Sequence, residues 1–196
     1  TQAHPYRRLI ERSRALYLAD DLSGALPLGQ AQALGLPFER YRQAFTPGLV
    51  TAIYGGKLLA PQLVDVLKID AQFRDLDGDG NLWMPSGRSF YSLDPNAPDA
   101  AFARAHFFVA QAVRDPFGNV TTIAHDAYNL LVTGSVDALG NTIAAQNDYR
   151  VLQPFALTDA NGNRTMASYD RLGLVAGTAV MGKVSETLGD TLAGFG

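Results

Sequence analysis

The sequence predicts a mainly β chain, in which a helical N-terminal region precedes an antiparallel meander of short strands. Aspartate returns every eleven residues through one stretch, at Asp115, Asp126, Asp137, Asp148, Asp159 and Asp170. Gly or Asn, which tolerate a positive φ, stands three residues after five of these six aspartates. The intervening segments favour Val, Thr, Ile, Ala and Leu, which suits strands.

The N-terminal region, residues 1–68, is predicted to be irregular and mostly helical. Residues 5–20 match a helix because Pro5 suits a first turn and apolar residues form an incomplete stripe opposite several arginines. Residues 38–45 and 49–54 are predicted as two short helices, the second with Thr46 as a cap-like start. Residues 61–67 add one or two further helical turns.

Residues 69–114 contain an acidic loop and a connecting segment. Asp75, Asp77 and Asp79 alternate ahead of a glycine, as in the front half of an EF-hand calcium loop. The match ends at the twelfth position, where an EF-hand has Glu and this chain has Ser86. Two interpretations follow: a Ca²⁺ site with Asp75, Asp77, Asp79 and the Asn81 carbonyl as ligands, or an acidic, Gly-rich turn without metal.

Residues 115–180 form the repeat array, which residues 100–113 enter as a short helix or strand. Asp at the first turn position accepts hydrogen bonds from N–H groups two or three residues on, and Gly at the fourth takes the left-handed conformation. About seven residues remain per segment, which predicts six antiparallel strands with turns alternating between their two ends. Two residues resist the pattern: Val151 is a poor left-handed residue, and Pro154 indicates an edge strand, a bulge or an interruption.

Composition narrows the classes of function. The 196 residues carry a net charge of −3 and no cysteine, which gives no electrostatic basis for binding nucleic acid and excludes disulfides and thiolate metal sites. No apolar window approaches the roughly 18 residues of a membrane span. The chain starts at Thr1 and ends in a Gly-rich run, and we interpret residues 181–196 as a linker or a truncated next element of a larger polypeptide.

Catalytic constellations are not found in the sequence. The histidines, His4, His106 and His125, have no metal-ligand spacing, and there is no nucleophile elbow, P-loop or dinucleotide fingerprint. His125 precedes a turn aspartate, but Asn147 and Tyr169 occupy the equivalent positions, which favours a structural role over that of a catalytic base. The repeated aspartates are interpreted as turn builders, and we expect a chain that is not an enzyme.

The array resembles RHS/YD-repeat proteins, whose units pair a D-x-x-G-N turn with a Tyr-Asp turn. The Ser168-Tyr169-Asp170-Arg-Leu-Gly173 segment matches the second kind of turn, whereas His125-Asp126 and Asn147-Asp148 lack its tyrosine. Further ordered motifs resemble the C-terminal part of the B subunit of bacterial insecticidal Tc toxin complexes. They are Phe45-Thr-Pro-Gly-Leu49, Asp77-Gly-Asp79, Trp83-Met-Pro-Ser-Gly87, Arg114-Asp-Pro-Phe-Gly-Asn119 and Asn147-Asp-Tyr-Arg-Val-Leu-Gln-Pro154.

This resemblance implies a part of a β-shell rather than an enzyme. In that family the B and C subunits enclose a cytotoxic segment of C, and a pore-forming A subunit delivers it. The implied partners are therefore the remainder of the B subunit, the C subunit with its enclosed segment, and the A subunit through regions outside this chain, all in a secreted complex. The alternative is a calcium-dependent extracellular binding or adhesion module built on the acidic loop.

Overall fold

The chain is mainly β in a computed structural model that describes residues 10–57, 60–186 and 188–195. Its strands are β1 Ser13–Tyr17, β2 Pro37–Phe45, β3 Leu82–Pro85, β4 Arg88–Phe90, β5 Ala112–Arg114, β6 Val120–His125, β7 Val132–Val136, β8 Thr142–Asp148, β9 Gln153–Thr158, β10 Arg164–Tyr169 and β11 Val175–Met181. Its helices are α1 Pro47–Tyr54, α2 Ala60–Val64 and α3 Ala100–Ala105, with a π-helical turn at Asp65–Asp70. Among the described helices, none is long and apolar enough to cross a membrane.

The chain divides into two compact units. The first comprises the described residues up to Ser89 together with Arg114–Gly118, and the second comprises Phe90–Val113 and the described residues from Asn119 onward. The four-part division predicted from the sequence, with boundaries after residues 68, 114 and 180, stays a prediction.

A three-stranded antiparallel sheet of order β1-β2-β3 organises the first unit. Trp83 on β3 is fully buried, with an exposed fraction of 0%. Other buried apolar residues of this unit are Leu18, Ala19, Leu22, Leu36, Tyr41, Leu67 and Leu82. This sheet therefore carries a small core of its own.

The helix predicted over residues 5–20 is wrong where the structure describes it, because Ser13–Tyr17 is strand β1. Residues 5–9 lie outside the described residues. The helix predicted over residues 38–45 is also wrong, because Pro37–Phe45 is strand β2. Both strands place charged side chains on their inner face, which conceals the period of two that marks a half-buried strand.

Helix α1 confirms the short helix predicted over residues 49–54. Thr46 is its N-cap, and the Thr46 hydroxyl accepts a hydrogen bond from the Leu49 N–H at 3.2 Å. Helix α2 and the π-helical turn confirm helical structure in the region predicted at residues 61–67. The connecting segment 100–113 contains both predicted alternatives, since α3 precedes β5.

The repeat array confirms the predicted six-strand antiparallel meander. Strands β6 to β11 pair consecutively within an eight-stranded sheet of order β11-β10-β9-β8-β7-β6-β5-β4. Ala179 is the only buried apolar residue among the described residues of these six strands. The meander is therefore a thin sheet with little core of its own.

Each aspartate of the array opens a four-residue turn. The carbonyl of the first residue accepts a hydrogen bond from the N–H of the fourth in all six turns, at 2.9 to 3.3 Å. We call the turns that begin at Asp115, Asp137 and Asp159 odd turns, and those that begin at Asp126, Asp148 and Asp170 even turns. The fourth residues Gly118, Asn129, Gly140, Gly162 and Gly173 all have positive φ, as predicted.

The turn at Asp148 avoids the strain that Val151 would suffer. The left-handed residue is Leu152, with φ of 55°, rather than the β-branched Val151, and so this turn is longer by one residue. Pro154 lies in β9, between β8 and β10, next to a register shift between Gln146 and Asn147. Pro154 was predicted to mark an edge strand, a bulge or an interruption, and the structure shows the bulge.

The C-terminal segment of the second unit, residues 182–195 as far as described, folds back onto the array. Met181 bridges to Gly189, and the Asp190 N–H donates to the Val180 carbonyl at 2.9 Å. The Ser168 hydroxyl donates to the Phe195 carbonyl at 2.9 Å. This segment therefore packs on β10 and β11.

Candidate functional site

The acidic loop lies in the first unit, immediately before β3. Gly78 and Gly80 have φ of 69° and 77°, so the backbone turns twice between the three aspartates. The loop closes with an Asx-type contact, in which the Asp79 Oδ1 accepts a hydrogen bond from the Asn81 N–H at 3.0 Å. The second Asp79 oxygen accepts from Asn81 Nδ2 at 2.6 Å.

Asp77 forms a bidentate ion pair with Arg14. The guanidinium nitrogens Nη1 and Nη2 donate to Asp77 Oδ1 and Oδ2 at 2.7 and 2.6 Å. The hydrogen bond from Arg14, helped by its charge, lowers the pKa of the Asp77 carboxyl, and the same contact raises the pKa of Arg14. This planar, two-point geometry is the one that arginine forms with carboxylates.

Arg14 also connects the loop to the buried tryptophan. Its guanidinium carbon lies 4.2 Å from the centroid of the Trp83 ring, and that of Arg12 lies 5.0 Å from the same centroid. Cations over an aromatic face are attracted by the ring quadrupole. The acidic loop is thus fastened to the sheet through Arg14, which contacts both Asp77 and Trp83.

The side chains predicted as calcium ligands contact other protein groups, except for one oxygen of Asp75. Asp75 Oδ2 lies 3.5 Å from the Lys68 ammonium nitrogen, and Asp75 Oδ1 is buried without a hydrogen-bond partner. The Asn81 Oδ1 accepts from the Gln43 side chain at 3.1 Å.

The loop does not present a calcium cage in this conformation. Within the described part of the chain, no three acidic or histidine side chains are grouped so that they could hold a metal ion. Calcium requires six to eight oxygens at about 2.3–2.6 Å, and both oxygens of Asp77 face a cation instead. The site at Asp75, Asp77, Asp79 and Asn81 stays a prediction, and calcium binding would require Arg14 to leave.

The aspartates of the array act on the backbone of their own turns. In the turn at Asp137, Oδ1 accepts from the N–H groups of Leu139 and Asn141, each at 2.9 Å, and Oδ2 accepts from Asn141 Nδ2 at 2.8 Å. The Asn141 side chain lowers the pKa of Asp137, and Asn163 does the same for Asp159. These contacts are those of turn builders.

His125 lies at the end of β6, opposite Val132. Its Nδ1 is buried without a hydrogen-bond partner, and burial lowers the pKa of the ring, against a smaller opposing effect of Asp126. The neighbouring carboxylate is directed elsewhere, because Asp126 Oδ2 accepts from the Tyr149 hydroxyl at 2.7 Å.

Contacts between successive even turns were not predicted from the sequence. Tyr149 bonds to Asp126, and its ring packs edge-on against Tyr128 with centroids 6.0 Å apart. Arg150 donates to the Asp170 carbonyl at 2.6 Å and to the Tyr169 carbonyl at 3.3 Å. The available signal was the position of Tyr149 and Arg150 inside a turn, where large polar side chains can reach the neighbouring turn.

The two faces of the array differ in their surroundings. Side chains alternate between faces along each strand, and cross-strand pairing places Ala145, Leu157, Thr165 and Val180 in one row. Ile143 shares their face, which we call the uncharged face. On this face, 49% of Ile143, 41% of Leu157 and 66% of Val180 is exposed to solvent.

The opposite face of the array is partly covered by the C-terminal segment. A Cβ added to Gly177 would lie 3.1 Å from the Phe195 ring and 3.4 Å from Leu192. Arg164 Nε donates to the Gly182 carbonyl at 3.0 Å. The second unit therefore covers part of one face itself and leaves the uncharged face open.

Solved chains of the TcdB2-TccC3 complex share this fold. The crystal structure of TcdB2-TccC3 matches with a TM-score of 0.61 and 21% identity over 86% of this chain and 8% of that chain. The structure of TcdB2-TccC3-Cdc42 matches with a TM-score of 0.62 and 21% identity, over 90% of this chain and 8% of that chain. The structure of TcdB2-TccC3 without its hypervariable C-terminal region matches with a TM-score of 0.61 and 19% identity, over 95% of this chain and 9% of that chain. No protein-family model and no curated protein matches the sequence.

These likenesses establish a fold related to that of Tc toxin chains. At about 20% identity the likeness concerns the fold, and this chain spans only 8 to 9% of the length of the solved chains that it matches. The expectation of a mainly β chain with an antiparallel sheet is confirmed.

Proposed function

We propose that the chain is a structural, non-enzymatic segment of the shell of a secreted Tc-type toxin complex. It belongs to the B subunit and helps to enclose a cytotoxic polypeptide, with the rest of B and the C subunit as direct partners. The A subunit contacts other parts of B. The observation that carries this proposal is the repeat array, a thin six-strand sheet with the fold of TcdB2-TccC3 chains.

The physical properties of the array suit a wall. A sheet with few buried side chains gains little stability by itself, so it depends on neighbouring sheet or on a large assembly. Its open face carries Ile143, Leu157 and Val180 among small residues and hydroxyls, with no charged side chain in the paired rows described above. We assign this uncharged face to the interior of the shell, where it would contact enclosed polypeptide without strong charge selectivity.

The test uses the absence of cysteine from this chain. Thr165→Cys places a thiol on the uncharged face, and Thr142→Cys places one on the opposite face, because Thr142 pairs with Val136 in the other row. Both threonines are exposed. Each variant is made in the complete polypeptide that contains this chain, and any cysteines outside the chain are first replaced by serine. The protein is purified with the C subunit and treated with a large maleimide-polyethylene glycol.

A closed shell predicts that Cys at position 142 reacts and Cys at position 165 is protected until the complex is opened by denaturant. A small maleimide that diffuses through gaps serves as the control for reactivity of each thiol. Equal labelling of both positions in the intact complex, or a particle without an internal volume by electron microscopy, would refute the proposal.

A further inference from the structure

The outer side of strand β1 is an open sheet edge. Among the described strands, β1 pairs only with β2, and the Arg12 carbonyl accepts a hydrogen bond from the Gln43 N–H at 2.9 Å. Backbone groups alternate in direction along an antiparallel strand, so Ser13 and Ala15 direct their N–H and C=O groups away from β2. Among the described residues these groups have no backbone partner, and the edge becomes covered from Tyr17 onward, where the Tyr17 carbonyl accepts from the Leu26 N–H at 2.7 Å.

Two arginines stand beside this edge on the exposed face of the sheet. Ser13 lies opposite Arg42 and Ala15 opposite Arg40, so these four side chains share one face. Arg40 and Arg42 are both exposed, whereas the residues between and before them are buried on the other face. In the part of the chain that the structure describes, neither guanidinium forms an ion pair.

The space above this face is open from the arginines to the edge. Two grooves of about 350 and 250 Å³ lie along it, and Arg40 lines both. Ser13 and Ala15 are small, so no large side chain separates the guanidinium groups from the outer edge. Glu11 lines the first groove as well, and the carboxylate of Glu39 beside the second is already held by Arg88 at 3.3 Å and Tyr41 at 2.7 Å.

We propose that this edge binds an extended acidic segment of a partner polypeptide by strand addition. The segment pairs with the free backbone groups of Ser13 and Ala15, and carboxylates at alternate positions meet Arg42 and Arg40. An added strand lies about 4.8 Å from β1 and about 9.6 Å from β2, a gap that arginine and carboxylate side chains close together over Ser and Ala. Backbone pairing supplies affinity in this mode, and the alternate side chains supply specificity.

Charge favours this occupant over the two nearest alternatives. Two copies of this chain joined through β1 would place Arg40 and Arg42 of both copies on the same face of the joined sheet, where their like charges repel and neither copy supplies a carboxylate to the other. Residues 1–9 contain Arg7 and Arg8 and no acidic residue, so their sequence does not complement the arginines.

The test measures binding of a capped, fluorescein-labelled peptide, Thr-Val-Glu-Val-Glu-Val-Thr, by fluorescence anisotropy. A peptide with Lys at both Glu positions and one with adjacent glutamates serve as probes of charge and spacing. We expect the alternating Glu peptide to bind best, and the Arg40→Glu/Arg42→Glu variant to bind it about tenfold or more weakly, since two exposed ion pairs are lost and replaced by repulsion. That variant should instead bind the Lys peptide.

Two further variants separate the edge from general charge. Arg104→Glu/Arg171→Glu changes the net charge equally at exposed positions of the second unit, and should leave binding unchanged. Ala15→Pro removes an outward N–H, which an edge strand tolerates, and should abolish binding while the circular dichroism spectrum is kept. Absence of binding by the Glu peptide, equal binding by the Arg40/Arg42 variant, binding retained in a folded Ala15→Pro variant, or dimerisation through β1 would each overturn the proposal.

Discussion

The odd turn at Asp137 offers a direct test of the conformational reasoning. Gly140 has φ of 83°, and a Cβ added there meets no atom within 4 Å. Substitution by Ala is therefore opposed by backbone conformation alone. The left-handed conformation costs an L-residue about 1–2 kcal/mol. Ala also lowers the conformational entropy of the unfolded chain, which stabilises the folded state by about 0.4–1 kcal/mol. We therefore expect Gly140→Ala to destabilise the second unit by about 1 kcal/mol.

Two comparison variants isolate the cause. Gly140→Asn should be close to wild type, because Asn129 occupies the same turn position with φ of 54°. Gly48→Ala, in helix α1, also has open space around its Cβ but no positive φ. It should stabilise the first unit by up to about 1 kcal/mol through helix propensity.

The assay is denaturant unfolding followed by far-ultraviolet circular dichroism, with hydrogen exchange to assign each change to one unit. A change of about 1 kcal/mol corresponds to a melting shift of about 2–4 °C in a chain of this size. If Gly140→Ala were as stable as wild type, or if Gly140→Asn lost as much as Ala, the left-handed turn would not be the reason for the glycine.

Three other predictions follow from the described contacts. Asp126, Asp137 and Asp159 all have pKa values lowered below the ordinary 3.8. Their contribution to the free energy of unfolding is therefore present above pH 3.8 and lost as the pH falls through the pKa values of the folded state. Unfolding of the array measured as a function of acidic pH checks this, and Asp137→Asn should weaken the pH dependence. Trp83→Ala should destabilise the first unit by about 3–5 kcal/mol, because it empties a fully buried site, and Trp83→Phe by less, measured by denaturant unfolding. Calorimetric titration of the chain with Ca²⁺ should give no binding heat while Arg14 holds Asp77, and heat that vanishes in Asp77→Ala would instead support the calcium site.

The array could be predicted from the sequence because its information is local. Asp and Gly fix each turn through contacts within four or five residues, and the turn spacing fixes the strands. The longer turn at Asp148 also follows local rules, because the β-branched Val151 disfavours the left-handed conformation and Leu152 adopts it instead. The six segments of about seven residues that were predicted as strands are observed as strands of five to seven residues.

The three-stranded sheet was missed because its inner face is built from long-range charge pairs. Arg14 faces the buried Trp83 and pairs with Asp77, which is 63 residues away. Glu39 is buried and pairs with Arg88. Charged residues at inward positions appear polar in a hydrophobic pattern, so the alternation that marks a strand disappears. The same pairing explains why an acidic loop that resembles a calcium site has a second, structural use for its carboxylates.

The turns at the two ends of the array are stabilised by different side-chain contacts. In the odd turns an asparagine follows the glycine, and its side chain closes the turn internally, as Asn141 does with Asp137. The even turns lack that asparagine and are joined to one another instead, through Tyr149 to Asp126 and Arg150 to the Asp170 carbonyl. Loss of Asn141 should therefore act within one turn, whereas loss of Tyr149 should reach the neighbouring repeat, and in a repeat array such neighbour terms determine cooperativity. Side-chain hydrogen bonds between successive turns are thus observed at the end with the even turns, in addition to the pairing of the strands.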